Sequence, residues 1–436
     1  MRHKLIVISL DALQTTDLDY LKQKDNFSKI LSEGALVKNV REIYPTLTYP
    51  IHTSIITGMH PNRHGIPHNQ LPTIEPENPD WSIMGSDWYW YSDYVKVPSL
   101  MDFANEEGLT TASVMWPVMA GKKPTHNLAE IWPNRHEPVV ETFKRACTES
   151  VMDLYYEQYI ESIDWSNKKE IDMDGYSVPI AADMIRRFDP DLMLIHSVCL
   201  DHERHVSGVE GERIHRCLDR VDEIVGHLMD ASKATGSFEK TNFILLGDHG
   251  QLAVRNHFAL NVIFVEMGLI RLDENGKVID YDAYSFSGGF STHIMLKNPE
   301  DEVLKESVYR ALLAIERKYD AYISRIFNKE EVNSEEGLSG EFTFVIEGAE
   351  GVMFNNELRG EIIKAIVPTK SEGYKGMHGH HPSKGHKPPF IAFGPDVLSG
   401  VVIETGDLLD ICPTLSQLMG FSMTGLSGKA FPIIKS

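Results

Sequence analysis

The sequence predicts an α/β/α sandwich around a largely parallel sheet. Two patterns predict it. Short, largely apolar runs, several rich in β-branched residues, recur along the chain, at 5–10, 35–40, 110–115, 191–198, 241–246 and 389–393. Helix-like segments alternate with them. An apolar run without polar alternation reads as a strand covered on both faces, which is how parallel sheets are built.

Taken in order, 5–10 is the first strand and stops at Asp11. Residues 27–31 have helical spacing with Gly34 as a stop, and 35–40 is a second strand. Segment 50–57 opens on Pro50 and ends before Gly58, the usual asymmetry of a helix. Residues 70–97 are rich in Pro, Trp, Tyr and Asp and read as a long surface excursion. A helix over 97–107, a strand over 110–115 and helical stretches at 137–165 and 175–187 follow. Strand 191–198, an amphipathic helix over 211–233 and strand 241–246 continue the alternation. Residues 271–372 break it and carry the acidic runs 300–302 and 328–336, which read as solvated faces. The expected division is therefore a catalytic core in two parts, 1–270 and 373–436, with an inserted lobe at 271–372. Strand 389–393 and a helix over 407–418 close the core.

Composition narrows the function. The 436 residues carry 42 Lys+Arg against 63 Asp+Glu, a net charge of −21, with 42% hydrophobic and 24% charged residues. That is globular composition, and so acidic a chain is a poor match for a nucleic-acid module or an anionic membrane surface. Cys147, Cys199, Cys217 and Cys412 form no CxxC and read as reduced thiols. The first apolar run is six residues long, too short for a signal core or a membrane span, so the expected compartment is cytoplasmic.

Ligands of open α/β sheets gather at the carboxyl ends of the strands. Asp11 follows the first strand, Asp201 and His205 follow 191–198, and Asp248-His249-Gly250 follows 241–246. A His-rich loop with His378, His380 and His381 precedes 389–393. Each alone is an ordinary cap or turn residue; several delivered to one sheet edge form a metal-ligating pattern. Asp and His without Cys suit Zn²⁺ or a similar divalent ion, and three Asp with three His fill two three-ligand sites. Two such ions suit an in-line phosphoryl displacement. Thr48, just before the 50–57 helix, is the candidate nucleophile, placed where a helix end favours an incoming phosphate.

Several segments resemble the nucleotide pyrophosphatase/phosphodiesterase (type I phosphodiesterase) family of the alkaline phosphatase superfamily. They are Tyr44-Pro-Thr-Leu-Thr-Tyr-Pro50, Ile56-Thr-Gly58, His60-Pro-Asn-Arg-His-Gly-Ile66, Leu200-Asp-His-Glu-Arg-His205, Gly247-Asp-His-Gly250, Gly376-Met-His-Gly-His380 and Asp410-Ile-Cys-Pro-Thr-Leu415. The resemblance implies an alkaline-phosphatase-like fold and hydrolysis of a small-molecule phosphate diester or pyrophosphate through a phospho-threonine intermediate. It implies Thr48 as nucleophile and a ligand of one metal together with Asp11, Asp248 and His249. It implies Asp201, His205 and His378 as ligands of the second, with His380, His381 and His386 as rivals of His378. Asn69 matches an Asn that holds a phosphoryl oxygen. Leu47, where many eukaryotic members have Lys, and His52, preceded by Ile51 rather than Asn, depart from the pattern and put nucleotide preference in question. Phosphonoacetate hydrolysis and phosphomonoester hydrolysis are alternatives on the same site; a non-catalytic phosphate binder is a third. Tyr44, Trp116 and the Trp88–Tyr91 cluster are candidates for stacking on a substrate. Arg63, Lys370 and Lys375 are the cations that would favour a monoester if they reached it. Arg63-His64 reads as structural, and His196 and His257 as partners standing behind the ligands or, the favoured reading, as merely buried.

Overall fold

The computed structural model describes residues 2–72, 84–121, 123–133, 137–366 and 373–435. The middle of the 70–97 excursion and the end of the lobe, with Lys370, lie outside these residues. Twelve strands matter for the site. Six are β1 (Lys4–Leu10), β2 (Ala35–Arg41), β3 (Thr111–Val114), β4 (His126–Leu128), β5 (Leu192–Ser197) and β6 (Thr241–Leu246). Next come β7 (Ala283–Ser287), β8 (Ser291–Leu296), β9 (Ile323–Asn328) and β10 (Phe344–Gly348). The last two are β11 (Phe390–Phe393) and β12 (Val402–Asp407).

Eight of these strands form the main sheet, in the order β12-β2-β11-β6-β1-β5-β3-β4. Every pairing is parallel except those of β11, which runs antiparallel to β2 and β6. Both faces are covered, as the unbroken apolar runs require. Ile6, Ile8 and Leu10 of β1 pack into one core with the Glu212–Thr235 helix. Leu5 and Val7 pack into the other with Ile51 and Ile55 of the Thr48–Thr57 helix and Leu415 of the Ile411–Met419 helix. Each fully buried aliphatic side chain there contributes about 1.5–3 kcal/mol, so the central strands hold the sheet edge rigid.

The predicted strands and helices all appear, with ends shifted by a few residues. The helix expected over 137–165 is broken into Val139–Ala146, Glu149–Tyr155 and shorter turns. Edge strand β12 went unread because its VIETGD is polar; only its backbone pairing with β2 makes it a strand.

Strands β7-β8-β10-β9 form a separate antiparallel sheet covered by the Glu302–Lys318 helix. Its core runs from Phe258 to Phe354 and takes in Tyr44 from the main body. The acidic run 328–336 is not simply a solvated face. Asn328 and Glu331 form a capping box, and Glu336 is buried, bonded to Arg41 Nη2 at 2.8 Å and His381 Nε2 at 3.0 Å. Glu347 likewise accepts from Tyr44 at 3.0 Å and Lys384 at 2.6 Å. These bonds tie the lobe to the segments that flank Thr48 and His378.

Candidate active site

The sheet edge brings the predicted residues together in two groups. Donor atoms of Asp11, Asp248 and His249 lie within 4.8 Å of one another, and so do those of Asp201, His205 and His378. Asp11 and Asp248 sit directly beyond β1 and β6, which are paired, so the register of the sheet sets their spacing. Each carboxylate is held through one oxygen. Asp248 Oδ1 accepts from Ala12 N at 3.0 Å and His249 N at 2.8 Å, while Asp11 Oδ2 lies 3.0 Å from His196 Nε2. The other oxygens, Asp11 Oδ1 and Asp248 Oδ2, have no hydrogen-bond partner among the described residues. They face His249 Nε2 at 3.4 and 3.3 Å.

In the second group, Asp201 and His205 share one face of the Cys199–Ser207 helix, with His205 Nε2 3.1 Å from Asp201 Oδ2. His205 Nδ1–H donates to Gly376 O at 2.7 Å and His378 Nδ1–H to Thr46 O at 2.9 Å. Carbonyls only accept, so both rings carry their proton on Nδ1 and turn an Nε2 lone pair inward. Inward imidazole lone pairs beside unsatisfied carboxylate oxygens fit a divalent cation at each group; no other group among the described residues satisfies those oxygens.

The charges differ between the groups. Burial, then the charges of Asp248 and Asp201, pushes Asp11 well above the usual carboxylate range. Burial raises Asp248 to about 6. Burial would also raise Asp201, but His205 beside it outweighs this and holds Asp201 low. Burial keeps His378 down at about 4. His205 ends above its ordinary value, because Asp201 overcomes its burial.

Thr48 is the first residue of its helix, with Leu47 in the capping position, rather than the residue before it. Its Oγ1 lies 3.2 Å from His249 Nε2. Asn69 Oδ1 accepts from Tyr49 N at 2.9 Å, and the residue lines the same cavity as Thr48, Asp11, Asp201, His205 and His378. That bond fixes which end of the amide is occupied, leaving the NH₂ end for the cavity. The cavity encloses about 470 Å³.

The His-rich loop sorts itself by backbone geometry. Gly379 has φ +82°, and a Cβ there would lie 1.7 Å from Gly288 O of the lobe. Only glycine fits, and the turn it makes sends His378 inward while its neighbours face elsewhere. His380 Nδ1 lies 3.2 Å from Thr46 Oγ1, His381 binds Glu336 and Ser383, and His386 lines a different cavity beside Lys387.

Of the aromatic candidates, Trp88 lines the cavity. Trp116 is buried against His52, Tyr44 is buried on Glu347, and Tyr91 meets Arg145. Arg63 donates to Gly425 O at 2.7 Å and His64 lies 3.0 Å from Ser54 Oγ. Sequence reasoning preferred burial to a supporting role for His196, which in fact stands behind Asp11. Its place in the register, opposite Ser9 and two residues short of Asp11, was the available signal. It missed Glu130 and Trp132 altogether, although a carboxylate inside an apolar stretch, Leu128-Ala-Glu-Ile-Trp132, was visible.

A parallel sheet whose strand ends offer clustered Asp and His around a helix-borne threonine defines a class, the phosphoryl-transfer hydrolases of the alkaline-phosphatase-like fold. Residues 5–382 match the type I phosphodiesterase / nucleotide pyrophosphatase family, and the chain belongs to it. Among curated relatives it is 22% identical to the human bis(5'-adenosyl)-triphosphatase ENPP4, over 96% of this chain and 78% of that one. It is also 22% identical to mouse ectonucleotide pyrophosphatase/phosphodiesterase family member 7, over 96% and 84%. The structure of murine ENPP5 in complex with AMP superposes with a TM-score of 0.66 at 18% identity, covering 98% of both chains. Human ENPP5 gives 0.67 at 19%. These likenesses establish the alkaline-phosphatase-like fold. Among the described residues no helix is long and apolar enough to cross a membrane.

Proposed function

We propose that this chain hydrolyses phosphate diesters or pyrophosphates through a phospho-threonine intermediate on Thr48. The observation that carries the reading is the position of Thr48 Oγ1, 3.2 Å from His249 Nε2 in the cavity shared by both donor groups. Asp11, Thr48, Asp248 and His249 would hold one divalent ion and Asp201, His205 and His378 a second, zinc being the ion this donor set suits. Bound there, the ions supply positive charge for the phosphoryl oxygens and lower the pKa of the attacking hydroxyl and water. Thr48 Oγ1 bonds to phosphorus, the bond to the leaving oxygen breaks, and water then cleaves the threonine ester. Asn69 Nδ2 and the Thr48 N–H donate to the transferred group.

The AMP complex of ENPP5 supports a small-molecule phosphate ester as ligand. The lobe at 271–372 supplies part of the cavity wall, through Ser287, Gly288 and Phe354. A cytoplasmic setting rests on four cysteines that form no disulfide, against the ectoenzyme naming of one relative. Phosphonoacetate would need cations for its carboxylate, and among the described residues no Lys or Arg lines the cavity. Parallel kinetics with zinc on bis- and mono-nitrophenyl phosphate test the reading. The diester is expected to have the higher kcat/KM, because a monoester dianion brings a further charged oxygen with no donor. A tenfold monoester preference, about 1.4 kcal/mol in transition-state binding, overturns the diesterase assignment.

A further inference from the structure

One buried side chain at the sheet edge belongs to neither donor group and links the segments that build both. Gln251 is 1% exposed and follows Asp248, His249 and Gly250 in the segment beyond β6. Its Nε2 donates to Asp201 Oδ1 at 2.5 Å and to Asp201 O at 3.2 Å. Both acceptors are oxygens, so the NH₂ end of the amide must face them. Both protons of one nitrogen thus go to one residue, and that residue stands on another element, the Cys199–Ser207 helix. The grip sets the plane of the carboxylate. Asp201 Oδ2 then lies 3.1 Å from His205 Nε2 and Oδ1 lies 3.8 Å from His378 Nε2.

Backbone pairing extends the link. Leu252–Ala253, the next two residues, run antiparallel to Gly376–Met377. Gly376 O accepts from His205 Nδ1–H, and His378 follows Met377 directly. The approach is so close that a Cβ on Gly376 would lie 2.6 Å from Gln251 Oε1. Residues 251–253 therefore reach all three members of the second group: Asp201 through the Gln251 amide, His205 through Gly376, and His378 through the paired strand. The same stretch continues directly from Asp248 and His249 of the first group.

Stability does not explain a glutamine at this position. Its Oε1 is buried and has no hydrogen-bond partner among the described residues. A buried amide oxygen without a donor costs stability. Methionine has nearly the same length and would fill the space without that cost. What methionine lacks is the pair of donors on Asp201. Partners that orient a metal ligand in this way govern how tightly the ligand set grips its ion.

We infer that Gln251 is a positioning residue of the second donor group: it fixes the rotation of the Asp201 carboxylate opposite the Nε2 lone pairs of His205 and His378. It rests on the two-metal part of the reading above and adds to it a residue that touches neither ion nor substrate.

The test titrates the zinc-free protein with Zn²⁺ against a chromogenic chelator, as wild type, Gln251→Met and Gln251→Met/His378→Ala. The wild type should take up two equivalents. In Gln251→Met one equivalent should bind about tenfold or more weakly and the other as in the wild type. The double variant identifies the weakened one. It should still hold one equivalent at wild-type affinity, since both substitutions strike the same group. Urea unfolding of the zinc-free proteins is the second readout. Gln251→Met should unfold at the wild-type midpoint or above it, because the unpaired oxygen is gone and the partly exposed Asp201 can take water in place of the amide. A glutamine that only supports the fold would instead lower that midpoint. A lower midpoint, two equivalents held by Gln251→Met as tightly as by the wild type, a loss of both, or a double variant with no tight equivalent overturns the role of Gln251 and leaves the diesterase reading standing. A wild type that takes up fewer than two equivalents overturns the two-metal reading, and the role of Gln251 falls with it.

Discussion

The two donor groups at the sheet edge are built from different materials and manage charge in opposite ways. Asp11, Asp248 and His249 stand on the ends of β1 and β6 and are almost wholly buried, with two carboxylates to one imidazole. Asp201, His205 and His378 come from one helix and one loop, the first two partly exposed and His378 buried, and set two imidazoles against one carboxylate. Burial pushes both carboxyls of the first group upward, and at Asp11 the charges of Asp248 and Asp201 add to it. The second can neutralise itself, since Asp201 is held low and His205 high. A cation is therefore needed to complete the first group, while the second group needs its loop kept in place. The lobe does that, through the contact of Gly379 with Gly288 O.

The sharpest way to break this comparison is at Thr48, which belongs to the first group. Thr48→Ala should lower turnover by about 10³-fold or more, since removal of a covalent nucleophile is among the most damaging changes to an enzyme. The metal content should stay near that of the wild type, because six Asp and His donors remain. Thr48→Ser should keep measurable activity. Steady-state kinetics with elemental analysis on the same samples read both. An active Thr48→Ala beside a dead Thr46→Ala would move the nucleophile to Thr46, whose hydroxyl is instead placed on the His380 carbonyl at 3.1 Å.

A smaller effect is expected in the second group. His378→Ala should weaken binding of one equivalent of zinc by more than about tenfold, the lower end of what outer partners of metal ligands cost. His381→Ala should leave zinc binding unchanged, because that ring is engaged with Glu336 and Ser383. Competition titration with a chromogenic chelator measures each. Equal losses at 378 and 381 would mean that the loop acts as a unit and the geometric sorting by Gly379 is wrong.

The same contrast explains what could be read from the chain. Asp11 and Asp248 follow unbroken apolar runs, and a strand end fixes where its next residue goes. Local sequence was enough. The lobe was legible only as a break in the alternation, because its sheet pairs β7 to β10 across distant segments. Glu336 reads as one more acid in an acidic run; its burial follows from Arg41 and His381, far away in the chain. Glu130 and Trp132 carry no motif, and they become cavity wall only with Trp88 arriving from another segment. Period and motif report local facts, whereas cavities are made by tertiary contact.

The most indirect effect concerns the support behind the first group and is a matter of pH. Glu42 is fully buried; its Oε1 accepts from Gly250 N, next to His249, and Lys387 Nζ lies 3.2 Å from Oε2. Burial pushes its carboxyl up from 4.5 to about 7, with Lys387 opposing. A carboxyl raised in the folded state holds its proton more tightly there than in the unfolded chain. Its contribution is therefore fully present below pH 4.5 and is lost as pH rises through about 7. Over that window the wild type should lose up to about 3 kcal/mol relative to Glu42→Gln, which cannot titrate. Urea unfolding of both proteins at equal zinc, from pH 4.5 to 8, gives the difference, and groups common to both cancel from it. Replacing Lys387 by Met should push the loss to higher pH, because the opposing cation is gone. Parallel stability curves for the wild type and Glu42→Gln would show that Lys387 fully compensates the carboxylate. The excess negative charge would then end at Asp11 and Asp248 rather than extend into the layer behind them.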